Sequence, residues 1–182
     1  VRVCPLDGHR CEADDVFLKE FHLEDLLRRE MRGNSMSLFV ALFARYPEYQ
    51  RMFPTFKDVP LEEMPQNVRV KAHALAVFYF ITAIIESMDD NDILEELVKK
   101  NARNHLRRPI GPEHYANMAE LLVEVMQDKL RSRMSPAAVR AWNKLLSFIQ
   151  KVTVQVFTED RKATEEGKPQ GIPTPPAVQA SE

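Results

Sequence analysis

Two histidines, His73 and His105, are the residues of this 182-residue chain best suited to chemistry, each on the inward face of an expected helix. A neutral imidazole presents one nitrogen lone pair to a metal while a neighbour holds its other N–H. Upstream runs Tyr46-Pro47-Glu48-Tyr49-Gln50-Arg51-Met52-Phe53-Pro54-Thr55-Phe56. A helix-opening proline followed by two phenylalanines three residues apart fits an aromatic wall for a flat cofactor. Two facing imidazoles beside that wall suit an iron porphyrin, with one nitrogen below the metal and one polar group above it.

The spacing around each histidine says which elements must position it. His73, Val77, Phe80 and Ile84 recur at intervals of 4, 3 and 4, so they share one helical face. Taken alone, a histidine heading an apolar stripe is more often a core residue than a ligand. His105 changes that balance: Leu94, Val98, Ala102 and His105 share a face too, and the histidine stands near its helix C-terminus. A backbone carbonyl around Asn101, or the Asn104 side chain, is placed to hold the second N–H of His105. Arg103, Arg107 and Arg108 would neutralise carboxylates on a bound ligand. The same arginines equally suit the negative end of the helix dipole.

The fold class follows from glycine and proline. Of five glycines only Gly111 lies between residues 34 and 166, too few for the tight turns of a hairpin-rich β fold. Pro47, Pro112 and Pro136 each stand where a first helical turn would begin. Ser135, and Asn34 or Ser35, suit N-caps. The class is all-α, with helices expected over about 14–28, 34–45, 47–53, 67–88, 92–105, 112–131 and 136–158. Asp89-Asp90-Asn91-Asp92 forms a capping turn. Pro54, Pro60 and Pro65 make 54–66 a loop with short helical pieces at best, and a natural place for movement. Domain organisation is read as a flexible arm at 1–13, one domain at 14–158 and a Pro-rich disordered tail or linker at 159–182.

Composition bounds the partners. Hydrophobic content of 45% and charged content of 29% describe a globular chain, and a net charge of −2 argues against nucleic acid. No apolar run approaches the roughly 20 residues of a membrane span. Nothing at the start looks like a signal peptide, so a cytoplasmic location is expected, and the opening valine suggests a chain excised from a longer one. Cys4 and Cys11, with His9 between them, match no standard zinc pattern and are expected to be reduced thiols, a local disulfide being the alternative.

The ordered set resembles the globin family over about residues 14–158, most closely its invertebrate, nematode-type intracellular members. The resemblance implies a 3-on-3 helical sandwich around haem b (iron protoporphyrin IX). It makes Phe53 the haem-stacking phenylalanine, Phe56 its companion, His73 the distal histidine and Val77 the valine one turn on. Phe39 takes the distal position on the second helix, and His105 becomes the proximal ligand. Tyr115 and the Ala141-Trp142-Asn143-Lys144-Leu145-Leu146 run also fit. Two departures affect the proximal side: Asn101 replaces a usual leucine, and Pro109-Ile110 stands where glycine and a β-branched residue are common. Three functions compete. One is a non-enzymatic redox or gaseous-ligand sensor with bis-histidine iron, His73 and His105 both being metal ligands, coupled to a protein partner or adjacent domain. The others are a reversible dioxygen carrier and a haem-free helical interaction module. The flanking extensions favour the sensor.

Overall fold

A computed structural model describes residues 31–167. The expected arm at 1–13, the helix at 14–28, both cysteines and the tail beyond 167 lie outside the described residues. Six α-helices follow in order among the described residues: α1 (Met31–Arg45), α2 (Pro47–Gln50), α3 (Val68–Glu86), α4 (Asn91–His105), α5 (Pro112–Leu130) and α6 (Pro136–Glu166). Short 3₁₀ turns occur at Met64–Gln66 and Arg131–Arg133, and no strand occurs among the described residues. The all-α expectation holds.

Local chemistry explains most boundaries. Asn67 caps α3, its side-chain oxygen accepting from the N–H groups of Arg69 and Val70 at 3.0 and 3.2 Å. Asp90 caps α4 in the same way through Asp92 and Ile93, both at 3.1 Å. Ser135 caps α6 through Ala138 at 3.2 Å, and Pro47, Pro112 and Pro136 open their helices as expected. Three boundaries differ from expectation, the first being α2, which ends at Gln50 rather than near 53. Asn34 and Ser35 lie inside α1 rather than capping it. Helix α6 runs to Glu166, eight residues past the expected end at 158. Everything after Thr158 on that helix is exposed. Glu, Lys, Arg and Ala are strong helix formers without needing burial, so the change in composition marks where packing stops, not where the helix stops.

Packing places α1 across α3 and α5, and α6 across α4 and α5. The core they share includes Leu38 and Phe39 of α1, Val70, Ala74, Ile84 and Ile85 of α3, Leu94 and Val98 of α4, Leu121 of α5, and Trp142 and Leu145 of α6. Against the expectation of no span-length run, α3 has 19 residues and a mean hydropathy of 1.6, enough by length and composition to cross a membrane. Arg69 and Lys71 interrupt the run near its start and hide its length. Val70, Ala74, Ile84 and Ile85 pack into the core, while Val68, Tyr79 and most of the remaining α3 residues stay partly or fully exposed. The helices carrying the two histidines, α3 and α4, contact each other little and pack on different partners, α1 and α6 respectively.

Candidate functional site

His105 is the last residue of α4, within its final turn. Its Nδ1 lies 2.8 Å from the backbone carbonyl oxygen of Asn101. A carbonyl only accepts, so the proton must sit on Nδ1. The lone pair is therefore on Nε2, the nitrogen left to meet a metal. The Tyr115 hydroxyl lies 3.0 Å from the same Nδ1, and it donates its own proton to the Asn101 side-chain oxygen at 2.9 Å. Phe157 meets the Tyr115 ring edge-on, with centroids 6.3 Å apart. Burial pushes the Tyr115 phenol far above its ordinary pKa, so it stays protonated.

Of the two holders expected from sequence, the Asn101 carbonyl takes the His105 proton, while the Asn104 side chain is exposed. The part played by Tyr115 was not legible. Its place ten residues past the histidine, in the first turn of α5, was the available signal, but the approach of α5 to α4 decides the contact.

The other face is aromatic. The His73 ring sits half-buried on α3 among Phe39 at 5.2 Å, Phe53 at 5.0 Å and Phe56 at 6.0 Å between centroids. Phe53 and Phe56 stack on each other at 4.8 Å and 18°. Phe43 touches Phe39, Phe53 and Phe56 and backs the whole wall. Val77, one turn beyond His73, is half-buried and packs against the core edge. So His73, Phe39, Phe53 and Phe56 form one cluster, with Val77 beside it on the helix.

Burial first, then the positive charge of Arg108 and the proximity of His105, hold His73 down at about 4, against an ordinary 6.5. The imidazole is neutral at physiological pH and keeps a lone pair. The electrostatic influence of His105 and Arg108 on His73 brings the C-terminal end of α4 to the same region as the aromatic cluster. Arg103 is diverted: its guanidinium pairs with Glu96 at 2.7 Å along the exposed side of α4. Arg108 is the cation left beside the cluster. His114 is used locally, its Nδ1 accepting from the Gly111 N–H at 3.0 Å at the start of α5.

The segment between α2 and α3 is more constrained than its prolines suggested. It is a run of consecutive turns, and Gln50 donates from Nε2 to the carbonyls of both Phe56 (3.0 Å) and Val59 (2.8 Å). Arg69 donates to the Thr55 carbonyl at 3.2 Å.

These residues fit an iron porphyrin. One imidazole has a defined tautomer with Nε2 available, a second is held neutral, a pair of stacked phenylalanines supplies the flat wall, and an arginine stands near for a carboxylate. Among the described residues no group of three or more His, Cys, Asp or Glu side chains is gathered as for a metal ion.

Comparison with known proteins agrees. The family model described as Globin matches residues 36–153. The globin of Busycotypus canaliculatus is 30% identical over 124 residues, covering 68% of this chain and 84% of its own. Cytoglobin-1 of Danio rerio is 25% identical over 133 residues, covering 71% of this chain and 76% of its own. In three dimensions, a hexacoordinated haem protein from an anhydrobiotic tardigrade superposes with a TM-score of 0.74 at 19% identity, over 82% of this chain and 96% of its own.

Proposed function

Because the chain belongs to the globin family, we propose that it holds haem b between His105 and His73 and serves as a redox or gaseous-ligand sensor. Haem and diatomic-gas binding come with the family. The finer reading rests on one observation, the paired state of the two imidazoles. His105 has its Nδ1 proton committed to Asn101, which aims the Nε2 lone pair away from its own backbone. His73 is neutral, packed among phenylalanines and within electrostatic reach of His105.

When bound, the iron supplies an exchangeable coordination position and a one-electron couple. The chain does the rest. His105 anchors from α4. His73 offers a neutral nitrogen from α3, suited to both oxidation states of the metal. Phe53 would stack against the flat ring with Phe56 stacked behind it, while Phe39 and Val77 would limit the space on the His73 side. Phe39 brings no hydroxyl, so His73 is the polar group of that wall. If it occupies the sixth position, an external ligand binds with an affinity reduced by the fraction of molecules in which that position is open. The tardigrade protein of similar fold is a hexacoordinated haem protein, so a frame of this shape is compatible with a sixth ligand on the iron.

The reading is of a binding and signalling protein, not a catalyst, working in the cytoplasm through a protein partner or adjacent domain. The domain organisation proposed with it is a globin domain at 14–158, an arm at 1–13 and a Pro-rich tail or linker at 159–182. The test is an absorption spectrum of the haem-loaded chain, ferrous and ferric, with and without carbon monoxide. Split, sharp visible bands in the ferrous state without added ligand support six-coordination. A five-coordinate ferrous spectrum that barely changes in His73→Leu while oxygen dissociation speeds up would instead assign His73 to hydrogen bonding and make reversible dioxygen binding the function.

A further inference from the structure

The proximal side of this chain carries a hydrogen-bonded triangle that a leucine at position 101 could not build. The His105 Nδ1–H faces two oxygens at once, the Asn101 carbonyl at 2.8 Å and the Tyr115 hydroxyl at 3.0 Å. Tyr115 spends its own proton on the Asn101 Oδ1 at 2.9 Å, so the hydroxyl turns a lone pair, not its hydrogen, toward the imidazole. Asn101 thus acts twice, through its backbone carbonyl and through its amide. Tyr115 is half-buried, and its ring is seated against Phe157.

We infer that Tyr115 and Asn101 are positioning residues that tune the electron donation of His105. This rests on His105 being the iron ligand. A second acceptor draws the Nδ1 proton further from the ring and raises electron density on Nε2. A more basic Nε2 donates more strongly and favours the ferric over the ferrous state. The two acceptors also restrain ring rotation, one from the preceding turn of α4 and the other from α5. The Asn101 amide sets the hydroxyl rotor; without it, the Tyr115 proton is released to turn elsewhere.

The experiment uses the full haem-loaded chain carrying His73→Leu, which leaves His105 as the sole protein ligand to ferrous iron. Resonance Raman reads the iron–histidine stretch, and spectroelectrochemistry reads the midpoint potential. Tyr115→Phe keeps the ring and removes only the hydroxyl. It is expected to lower the stretching frequency, raise the potential and weaken haem retention by about 10-fold, the low end for loss of a supporting partner of a metal ligand. Asn101→Leu keeps the carbonyl and is expected to move both readouts in the same direction. The double variant should move them no further than Tyr115→Phe alone, because the amide acts through the hydroxyl. Should Tyr115→Phe fail to take up haem, Asn101→Leu carries the same spectroscopic test with the tyrosine in place. An unchanged frequency and potential in Tyr115→Phe, or fully additive shifts in the double variant, would overturn the inference. A His73→Leu parent with no iron–histidine band would instead overturn the assignment of His105 itself.

Discussion

His105 owes its tautomer to a backbone oxygen four residues earlier, which leaves the lone pair on Nε2. Replacing it with glycine removes the anchor but leaves a hole the size of an imidazole. His105→Gly is therefore expected to lose haem during gel filtration and to regain a Soret band when imidazole is added; a wild-type spectrum without imidazole would remove His105 from the site. His73 gives a prediction in the haem-free chain. Its folded-state value of about 4 lies below the ordinary 6.5. Above pH 6.5 neither the folded nor the unfolded chain carries this proton. Between 6.5 and 4 the unfolded chain takes it up and the folded chain refuses it, so stability falls as pH drops through that window, then levels off below it. The loss from this one group is on the order of 2 kcal/mol. Urea unfolding at pH 7 and pH 4.5 should show His73→Leu losing less stability than the parent by about that amount. Equal losses would place the neutral imidazole elsewhere.

At the scale of elements, the site depends on how α2, α3 and α4 are started and joined. Asn67 and Asp90 each cap a histidine-bearing helix; the cap at Asp90 is expected from the Asp89–Asp92 turn, whereas Asn67 is expected only as the start of its helix. The joining segment from Arg51 to Glu63 behaves differently from its proline count. Gln50 grips the Phe56 and Val59 carbonyls, which ties the stacked phenylalanines to the end of α2. Gln50→Ala leaves both half-buried carbonyls without that donor, an expected cost of about 1–2 kcal/mol in unfolding free energy. Because Phe53 and Phe56 press on the His73 ring, the same variant is expected to change the opening step that precedes carbon monoxide binding. Rapid mixing checks this: a rate that saturates with carbon monoxide and shifts in Gln50→Ala supports gating by this segment. Simple bimolecular binding, with rates identical to the parent, would leave the plain oxygen-binding reading stronger.

For the whole molecule, the histidine-bearing helices lean on different partners and meet each other only weakly, so a bound cofactor would complete the packing between them. Haem removal is expected to lower the melting temperature, since a ligand held only by the folded state stabilises by mass action. Amide exchange should rise first in α4 and the start of α3, and least in α1 and α5; uniform loss across all helices would count against a cofactor lodged between α3 and α4. Much of this arrangement was legible without coordinates. The intervals in His73-Val77-Phe80-Ile84 and Leu94-Val98-Ala102-His105 specified two helices and their inward faces. Pro47, Pro112, Pro136, Ser135 and the Asp89–Asp92 turn specified where helices begin. These are short-range properties, set by the 3.6-residue turn and by groups that satisfy backbone donors a few residues away. The Asn101 carbonyl on His105 and the Arg103–Glu96 pair are contacts within α4 itself, whereas tertiary structure alone brought Tyr115 to the His105 ring and set Phe43 behind the aromatic wall. The latter two depend on the angle at which one helix crosses another and on the side-chain rotamers that crossing permits, and residues distant in sequence meet only once the packing of the entire bundle has decided both.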